Sequence, residues 1–303
     1  MWWVRVMLVF LLPFSHQFQQ GSSSTTTSKE QHVCAASSCG KISNISYPFR
    51  LKNDPKHCGD NRYELACENN VTSLYLYSAK YHVQSINYNN FTIRLVDPGV
   101  QKHNCSSPPI NFLSQSNFCE TYNFYDDNCN DPYQAITDQI RLRKRNPDPY
   151  ELLFNYIVYL NCTHPVTNNH EYVNTSPYVN WHSEGYIYAM AGDLYAKDMQ
   201  VGCHVKLVTL TSYEASLQRK QLSYDVIHKA LVYGFEVSWL RLACNNLCGD
   251  RTLRACYFNA SGDLVLQCSL PSCIAFAGYG TSGCGNANIV TANFHSDYQF
   301  VTH

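Results

Sequence analysis

The 15 cysteines are the residues of this 303-residue chain with the most definite chemistry. Cysteine either ligates metals such as zinc or forms disulfide bonds, and zinc sites usually show paired ligands at short, repeated spacings. The spacings here do not repeat in that way. Because an exported protein encounters an oxidising compartment, cysteines at this density are typical of structural disulfides. The pattern predicts a disulfide-stabilised protein without a metal site.

We expect most of these cysteines to be paired, although spacing alone leaves their connectivity open. Those expected in disulfides are Cys34, Cys39, Cys58, Cys67, Cys105, Cys129, Cys162, Cys203, Cys244, Cys248, Cys256, Cys268 and Cys273. The group from Cys244 to Cys284 could also be drawn as a zinc cluster, but the export signals favour disulfides. Since the total is odd, at least one thiol is unpaired or bonds another chain, with Cys284 and Cys119 as candidates.

Two further patterns indicate export. Residues 1–20 hold one charge, Arg5, followed by a short apolar core at 6–14 and a polar end, which predicts a signal peptide. Residues 21–33 are rich in serine and threonine and predict a flexible linker. Seven Asn-Xaa-Ser/Thr sequons predict N-glycosylation, at Asn44, Asn70, Asn90, Asn104, Asn161, Asn174 and Asn259.

The composition narrows the range of partners. The net charge is −1 and only 15% of the residues are charged, so no overall basic field would attract nucleic acid. No stretch after the signal approaches the 18 apolar residues of a membrane helix. The sequence as given therefore predicts a soluble protein that is secreted to the cell exterior, attached to a membrane only if the gene model is truncated.

The elements that must position the functional residues are mainly strands. Apolar and polar residues alternate, as in half-buried strands, over 63–67, 74–76, 81–83 and 91–95. Asparagine-rich turns separate these strands and predict an antiparallel meander. In the last of them, Arg94 points away from the apolar residues, so we expect its side of the strand to be solvated.

The second half also contains strand-like segments. They cover 152–162, 186–191, 201–210 and 235–239, and in the third we expect Val201, Cys203, Val205 and Leu207 to share a face. A helix is predicted at 223–233, capped by Ser223 and ended by Gly234, and a second is expected to start at Asp131-Pro132. The predicted class is mainly β and disulfide-rich, with two cysteine-rich β modules and one or two short helices.

Several motifs resemble a known plant family. The first part of the chain resembles the galacturonan-binding module of wall-associated receptor-like kinases. The motifs that carry this resemblance are Cys39-Gly40, the Ile-Ser-Tyr-Pro-Phe run at 45–49, Cys58-Gly59 and the run at 63–67. The later part resembles ectodomains of the leaf-rust-resistance-locus receptor-like kinases. This resemblance rests on the run at 185–190 and on the Tyr-Gly-Phe-Glu-Val-Ser-Trp run at 233–239. The resemblance implies a galacturonan-binding-like module at 34–130, a C-terminal cysteine-rich region at 131–284 and a tail at 285–303.

The resemblance also implies a ligand. Galacturonan, the acidic polymer of pectin, carries a carboxylate on each sugar, so a receptor should present spaced cations beside aromatic platforms. The candidate ligand-binding residues are Lys41, Arg50, Lys52, Arg62, Tyr47 and Tyr63. In the receptors a membrane helix and a kinase follow, whereas the present sequence shows neither, so we expect binding of an acidic cell-wall polysaccharide and no enzymatic activity.

Two alternatives stay open. The chain could be a co-receptor, decoy or peptide binder that engages a receptor kinase or an extracellular peptide, or, with less support, an extracellular enzyme. A glycine pattern at 278–283 matches a dinucleotide loop, but the required helix and the acidic residue about 20 positions on are missing, so no cofactor is expected. A basic run at 141–145 is interpreted as a solvated face rather than a binding site.

Overall fold

Strands dominate the computed structural model, which describes residues 34–118, 131–135, 152–182, 184–213, 222–249, 252–258, 264–269 and 289–292. The strands are β1 (Ser37–Cys39), β2 (Ile42–Ile45), β3 (Arg50–Leu51), β4 (Glu64–Glu68), β5 (Val71–Leu76), β6 (Ala79–Asn87), β7 (Thr92–Val96), β8 (Asn155–Cys162), β9 (Val173–Asn174), β10 (Tyr186–Ala191), β11 (Cys203–Thr211), β12 (Phe235–Ser238), β13 (Thr252–Phe258), β14 (Leu264–Ser269) and β15 (Ile289–Ala292). The α-helices of these ranges are α1 (Tyr224–Tyr233) and α2 (Leu240–Cys248). This confirms the predicted mainly β, disulfide-rich class.

The largest sheet has six strands in the order β12-β7-β6-β5-β4-β3. Strands β4 to β7 form the predicted antiparallel meander, and β3 joins its edge in parallel with β4. Alternate residues of these strands point to one face because the side-chain period of a strand is two. That face is buried, with Leu65, Leu74, Tyr81, Ile93 and Leu95 between 0% and 2% exposed.

The sixth strand of this sheet comes from the C-terminal half. β12 pairs antiparallel with β7, which places Phe235 opposite Leu95 and Glu236 opposite Arg94. The hydrophobic core also contains residues from both halves of the chain. The centre of the Trp239 ring, for example, lies 4.8 Å from the centre of the Phe91 ring in an edge-to-face contact. One sheet and one core thus join described residues on both sides of position 130, and the described residues from Ala35 onward belong to one compact unit.

A second sheet, in the order β11-β8-β10-β9, carries helix α1 on one face. Ile227 and Leu231 of the helix pack with Ile157 and Tyr159 of β8 in one buried cluster. The helix has the predicted bounds and ends at Gly234, whose φ of +86° is a conformation that glycine adopts without a Cβ penalty. Ser223 occupies the N-cap position, but its side chain makes no capping hydrogen bond.

The prediction that Val201, Cys203, Val205 and Leu207 share one face of β11 is wrong. The β8–β11 register shifts between Val205 and Leu207, which is a β-bulge. Because an extra residue reverses the alternation beyond it, Cys203 packs with one buried cluster and Leu207 with the cluster on the opposite face. Val201 lies outside the strand and is fully exposed.

The helices differ from the prediction in two places. Helix α2 follows Trp239 directly, where the sequence predicted only a strand leading to Cys244. The helix expected after Asp131 does not begin at once, because Gln134 instead forms an antiparallel β-bridge with Ser238. Residues 136–150, including the basic run, lie outside the described ranges.

Ten cysteines of the described residues are disulfide-bonded, including Cys34 and Cys58. The pairs with described geometry are Cys39–Cys67, Cys162–Cys203, Cys244–Cys256 and Cys248–Cys268. Cys105, which was expected in a disulfide, is exposed in the loop after β7 and is unpaired within the described part of the chain. No described cysteine sulfur lies at bonding distance from it. Cys119, Cys129, Cys273 and Cys284 lie outside the described residues.

Other expectations also concern residues that are not described. The signal peptide, the linker, Asn259 and the glycine pattern at 278–283 belong to these parts of the chain. Within the predicted tail, β15 is described and pairs with β14. In the described part of the chain, no helix has the length and apolar character needed to cross a bilayer.

Candidate ligand-binding site

Two of the predicted ligand-binding residues are interior. Arg50 is 4% exposed, and its guanidinium donates to Glu64 Oε2 at 2.5 Å, Asn61 Oδ1 at 2.9 Å and the Leu51 carbonyl at 3.3 Å. The Arg50 side chain therefore joins β3 to the turn before β4 and faces no ligand. The expectation that it contacts the polysaccharide is corrected accordingly.

Tyr63 is likewise a core residue, with 1% of its surface exposed. Its hydroxyl donates to the Pro132 carbonyl at 2.6 Å, and its ring meets Phe49 edge-on at 5.7 Å. Burial is the main cause that raises the pKa of its phenol. Since neither face of the ring is open to solvent, Tyr63 cannot serve as a sugar platform.

Two other candidates are at the surface but already engaged. Arg62 forms a two-point pair with Asp60, from Nε to Oδ1 at 3.1 Å and from Nη2 to Oδ2 at 2.7 Å. That hydrogen-bonded pair lowers the pKa of Asp60 and raises the pKa of Arg62. Half-buried Tyr47 accepts a hydrogen bond from Asn246 Nδ2 at 2.7 Å through its hydroxyl oxygen. Both residues contribute surface, but the Arg62 charge is already neutralised by its neighbour.

The remaining cations differ in their ion pairing. Among the described residues, four cations lie within 4.0 Å of a carboxylate oxygen: Arg50, Arg62, Lys80 and Lys229. Lys41 and Lys52, both predicted site residues, are exposed and form no such pair in the described ranges. An exposed cation without a carboxylate neighbour is available to an anionic ligand.

Lys41 belongs to a cluster of three cations, which we call the basic cluster: Lys41, Arg94 and Lys102. Partial burial, and then the positive charges of Arg94 and Lys102, lower the pKa of Lys41. Its Nζ donates to Gln84 Oε1 of β6, a neutral acceptor. Like charges held together without a paired carboxylate form a positive field that an anion would relieve.

Arg94 is fixed in this cluster by contacts from two sides. Its Nε donates to Ser85 Oγ of β6 at 3.3 Å, and its Nη1 donates to the Tyr233 carbonyl at 3.5 Å. Glu236 of β12 lies opposite Arg94 of β7 in the strand register. Their side chains nevertheless do not form an ion pair within 4.0 Å in the described structure. No described residue accepts a hydrogen bond from Nη2, so that edge of the guanidinium is open.

Lys102 is carried by a loop that is anchored at both ends. Asp97, 5% exposed, accepts backbone hydrogen bonds from Gly99 at 2.8 Å, Ile110 at 3.0 Å and Asn111 at 2.8 Å. Burial is the largest influence on the pKa of Asp97 and raises it, against these three donors. A loop tied in this way holds Lys102 near the end of β7 instead of leaving it on a free segment.

Neither Arg94 nor Lys102 was selected from the sequence as a candidate ligand-binding residue. The side of β7 that was expected to be solvated is partly covered, because Tyr233 from α1 lies over Arg94. What distinguishes the basic cluster from Arg62 or Lys80 is that no described carboxylate pairs with it, which depends on tertiary neighbours. No local signal in the sequence contains that information.

The predicted sequons are at the surface wherever they are described. Asn44, Asn70, Asn90, Asn104 and Asn174 are exposed, and Asn161 is half-buried. Asn161 Nδ2, the atom that a glycan would modify, donates to the Glu184 carbonyl at 3.1 Å. Glycosylation at these asparagines stays a prediction.

The disulfides and the meander together define a disulfide-stabilised β-sheet domain, and the basic cluster lies on it. Residues 34–97 match the family model described as wall-associated receptor kinase galacturonan-binding, so this segment belongs to that domain family, as the sequence predicted. A curated relative is the leaf rust 10 disease-resistance locus receptor-like protein kinase-like 2.4 of Arabidopsis thaliana, 39% identical over 70 residues. That match covers 23% of this chain and only 11% of the relative. No solved structure matches the chain significantly.

Proposed function

We propose that this protein binds acidic cell-wall polysaccharide, specifically unesterified galacturonan, at the basic cluster of Lys41, Arg94 and Lys102. The protein would act outside the cell, as a wall-sensing or defence-related binding ectodomain. The observation that carries the proposal is that these three cations influence one another and have no carboxylate partner among the described residues, whereas Arg50, Arg62 and Lys80 are each paired with one. The match of residues 34–97 to a galacturonan-binding family supports the ligand class.

The chemistry fits a polymer with one carboxylate per sugar. Arg94 presents its open Nη2 edge, which suits a planar carboxylate, and the two lysines act as mobile point charges. Because Lys41 and Lys102 are exposed, each charge pair would contribute modestly and would be screened by salt. Affinity would therefore come from several weak contacts to successive sugars rather than from one deep pocket.

The test is a titration of the full secreted chain with unesterified galacturonic-acid oligomers at about 20 mM and about 300 mM salt. We expect saturable binding that weakens at high salt and disappears with methyl-esterified oligomers, which lack the charge. The double variant K41A/K102A should bind about tenfold more weakly, since two exposed charge pairs contribute about 0.7 kcal/mol each.

The matched control removes the same charge from paired positions. The double variant R62A/K229A also loses two cations, but each of these already has a carboxylate neighbour, Asp60 or Asp225. It should keep its affinity within about twofold. Equal loss in both double variants would mean that net charge alone drives binding and would overturn the assigned site, and no binding of any oligomer would overturn the function.

A further inference from the structure

The basic cluster has an aromatic neighbour that belongs to the C-terminal half. The Arg94 guanidinium carbon lies 4.4 Å from the centre of the Tyr233 ring, a cation–π distance. The same arginine donates to the Tyr233 carbonyl, so one residue holds it through both its ring and its backbone. The Tyr213 ring lies 5.6 Å from the Tyr233 ring, tilted by 49°. We call Tyr213 and Tyr233 the aromatic pair.

The position of Tyr233 follows from the end of helix α1. Tyr233 is the last residue of α1, and Gly234 after it approaches β7 so closely that a Cβ there would lie 2.0 Å from the Leu95 carbonyl oxygen. The chain then enters β12, which pairs with β7 and sets Glu236 opposite Arg94. The sheet pairing therefore fixes where the Tyr233 ring lies with respect to Arg94.

Tyr233 and Tyr213 are half-buried, and the described ring contacts are between the two tyrosines and between Tyr233 and Arg94. A ring stacked on a guanidinium face restricts its rotation but leaves its hydrogen-bonding edge free. In Arg94 that edge includes Nη2, from which no described residue accepts a hydrogen bond. An arginine restrained in this way loses less side-chain freedom when it binds a carboxylate.

We infer that Tyr233 is a positioning residue of the acidic-sugar site, where it orients Arg94 and, with Tyr213, supplies an apolar wall beside it. The inference rests on the proposed function. The ligand it specifies is a carboxylated pyranose whose carboxylate meets the guanidinium edge while its C–H face packs on the aromatic pair. The site is then composite, because residues 34–97 supply Lys41 and Arg94 while the wall comes from the C-terminal half.

Two substitutions at Tyr233 distinguish the contribution of its aromatic ring to binding from that of its hydroxyl. Tyr233→Phe keeps the aromatic face and should bind galacturonic-acid oligomers within about twofold of the unmodified chain. Tyr233→Leu keeps apolar bulk but removes the face, and we expect about fivefold weaker binding. Thermal unfolding of both variants reports whether the fold is retained. If Tyr233→Leu fails to fold, Tyr213→Leu tests the apolar wall at a second position, and a loss of affinity is again expected.

A double-mutant cycle with Arg94→Ala distinguishes positioning from a general structural role. If Tyr233 acts through Arg94, Tyr233→Leu should weaken binding much less in the Arg94→Ala background than in the unmodified chain. Equal losses in both backgrounds, or no loss from any leucine variant, would overturn the inference. Absence of oligomer binding by the unmodified chain would instead count against the proposed function itself, so the two failures are distinguishable.

Discussion

Gly234 and Leu95 touch so closely that no side chain fits between them. A Cβ on Gly234 would lie 2.0 Å from the Leu95 carbonyl oxygen and 2.6 Å from Val96 Cγ2. This contact joins the end of α1 to β7, and the next four residues extend the six-stranded sheet as β12. The two halves of the chain are fastened together at this point.

Gly234→Ala should destabilise the protein strongly. The alanine would carry the strain of a positive φ, about 1 kcal/mol, and would also force β7 and the helix end apart, so a total loss of about 3 kcal/mol is expected. Gly192→Ala is the matched control, because Gly192 has a φ of +99° but no atom within 4 Å of a built Cβ. Urea unfolding should show a clearly smaller loss at Gly192, and equal losses would contradict the steric account.

Arg50 should matter for stability and not for ligand binding. Arg50→Lys cannot reproduce the planar fork that reaches the Leu51 carbonyl through Nη1 and Asn61 and Glu64 through Nη2, so we expect a loss of about 2 kcal/mol in unfolding free energy. Arg62→Ala breaks an exposed pair and should cost less than about 1 kcal/mol. Oligomer affinity of the folded Arg50→Lys protein should match that of the unmodified chain, and a specific loss of affinity would return Arg50 to the ligand site.

His228 should make stability depend on pH. It is 2% exposed on α1, its Nε2 lies 3.3 Å from Ser107 Oγ, and burial lowers its pKa, with opposing effects from the Asn104 backbone and Asp225. Because the folded state then favours neutral histidine, its stabilising contribution is present above the unfolded pKa of about 6.5 and is lost as the pH falls below that value.

Urea midpoints between about pH 7.5 and pH 5 would measure this effect. His228→Gln cannot titrate, so its stability should fall less steeply over that range than the stability of the unmodified chain. His204→Gln, at an exposed position on β11, should leave the slope unchanged. If His228→Gln and the unmodified chain show the same slope, His228 is not the group responsible.

Cys105 should react in the native protein. Its thiol is exposed and bonds to no cysteine that the structure describes, whereas the ten described disulfide-bonded cysteines are protected until they are reduced. Alkylation of the unreduced chain followed by peptide mapping should therefore label Cys105, and Cys105→Ser should remove that label. Recovery of Cys105 in a disulfide-linked peptide, with no label on its thiol, would contradict this prediction.

Much of the local structure could be predicted from short-range patterns. The alternation at 63–67, 74–76, 81–83 and 91–95 gave the strands of the meander, because a buried sheet face requires apolar residues at period two. Helix α1 was predicted within its bounds, since Gly234 must end it. The shared face on β11 could not be predicted, because the bulge between Val205 and Leu207 arises from pairing with β8 and leaves no mark in β11 itself.

The candidate site was predictable only in part. Lys41 was proposed from its type and position, and it does belong to the basic cluster. Arg50 and Tyr63 have the same residue types as the proposed ligand contacts, but Arg50 donates its hydrogen bonds to Glu64 and other interior groups, and the Tyr63 hydroxyl donates to the Pro132 carbonyl. A cation is free or paired according to which carboxylate the fold brings near it, and spacing along the chain does not encode that distance.

The sequence by itself determined the class of this protein: a disulfide-rich, mainly β chain with a galacturonan-binding-type module at its start. These properties follow from cysteine density, period-two patterns and a few motifs, all of which are local. The tertiary structure alone decided that β12 completes the module's sheet and that Tyr233 covers Arg94. Such contacts join residues more than a hundred positions apart, as Arg94 and Tyr233 are, and depend on the packing of the whole core.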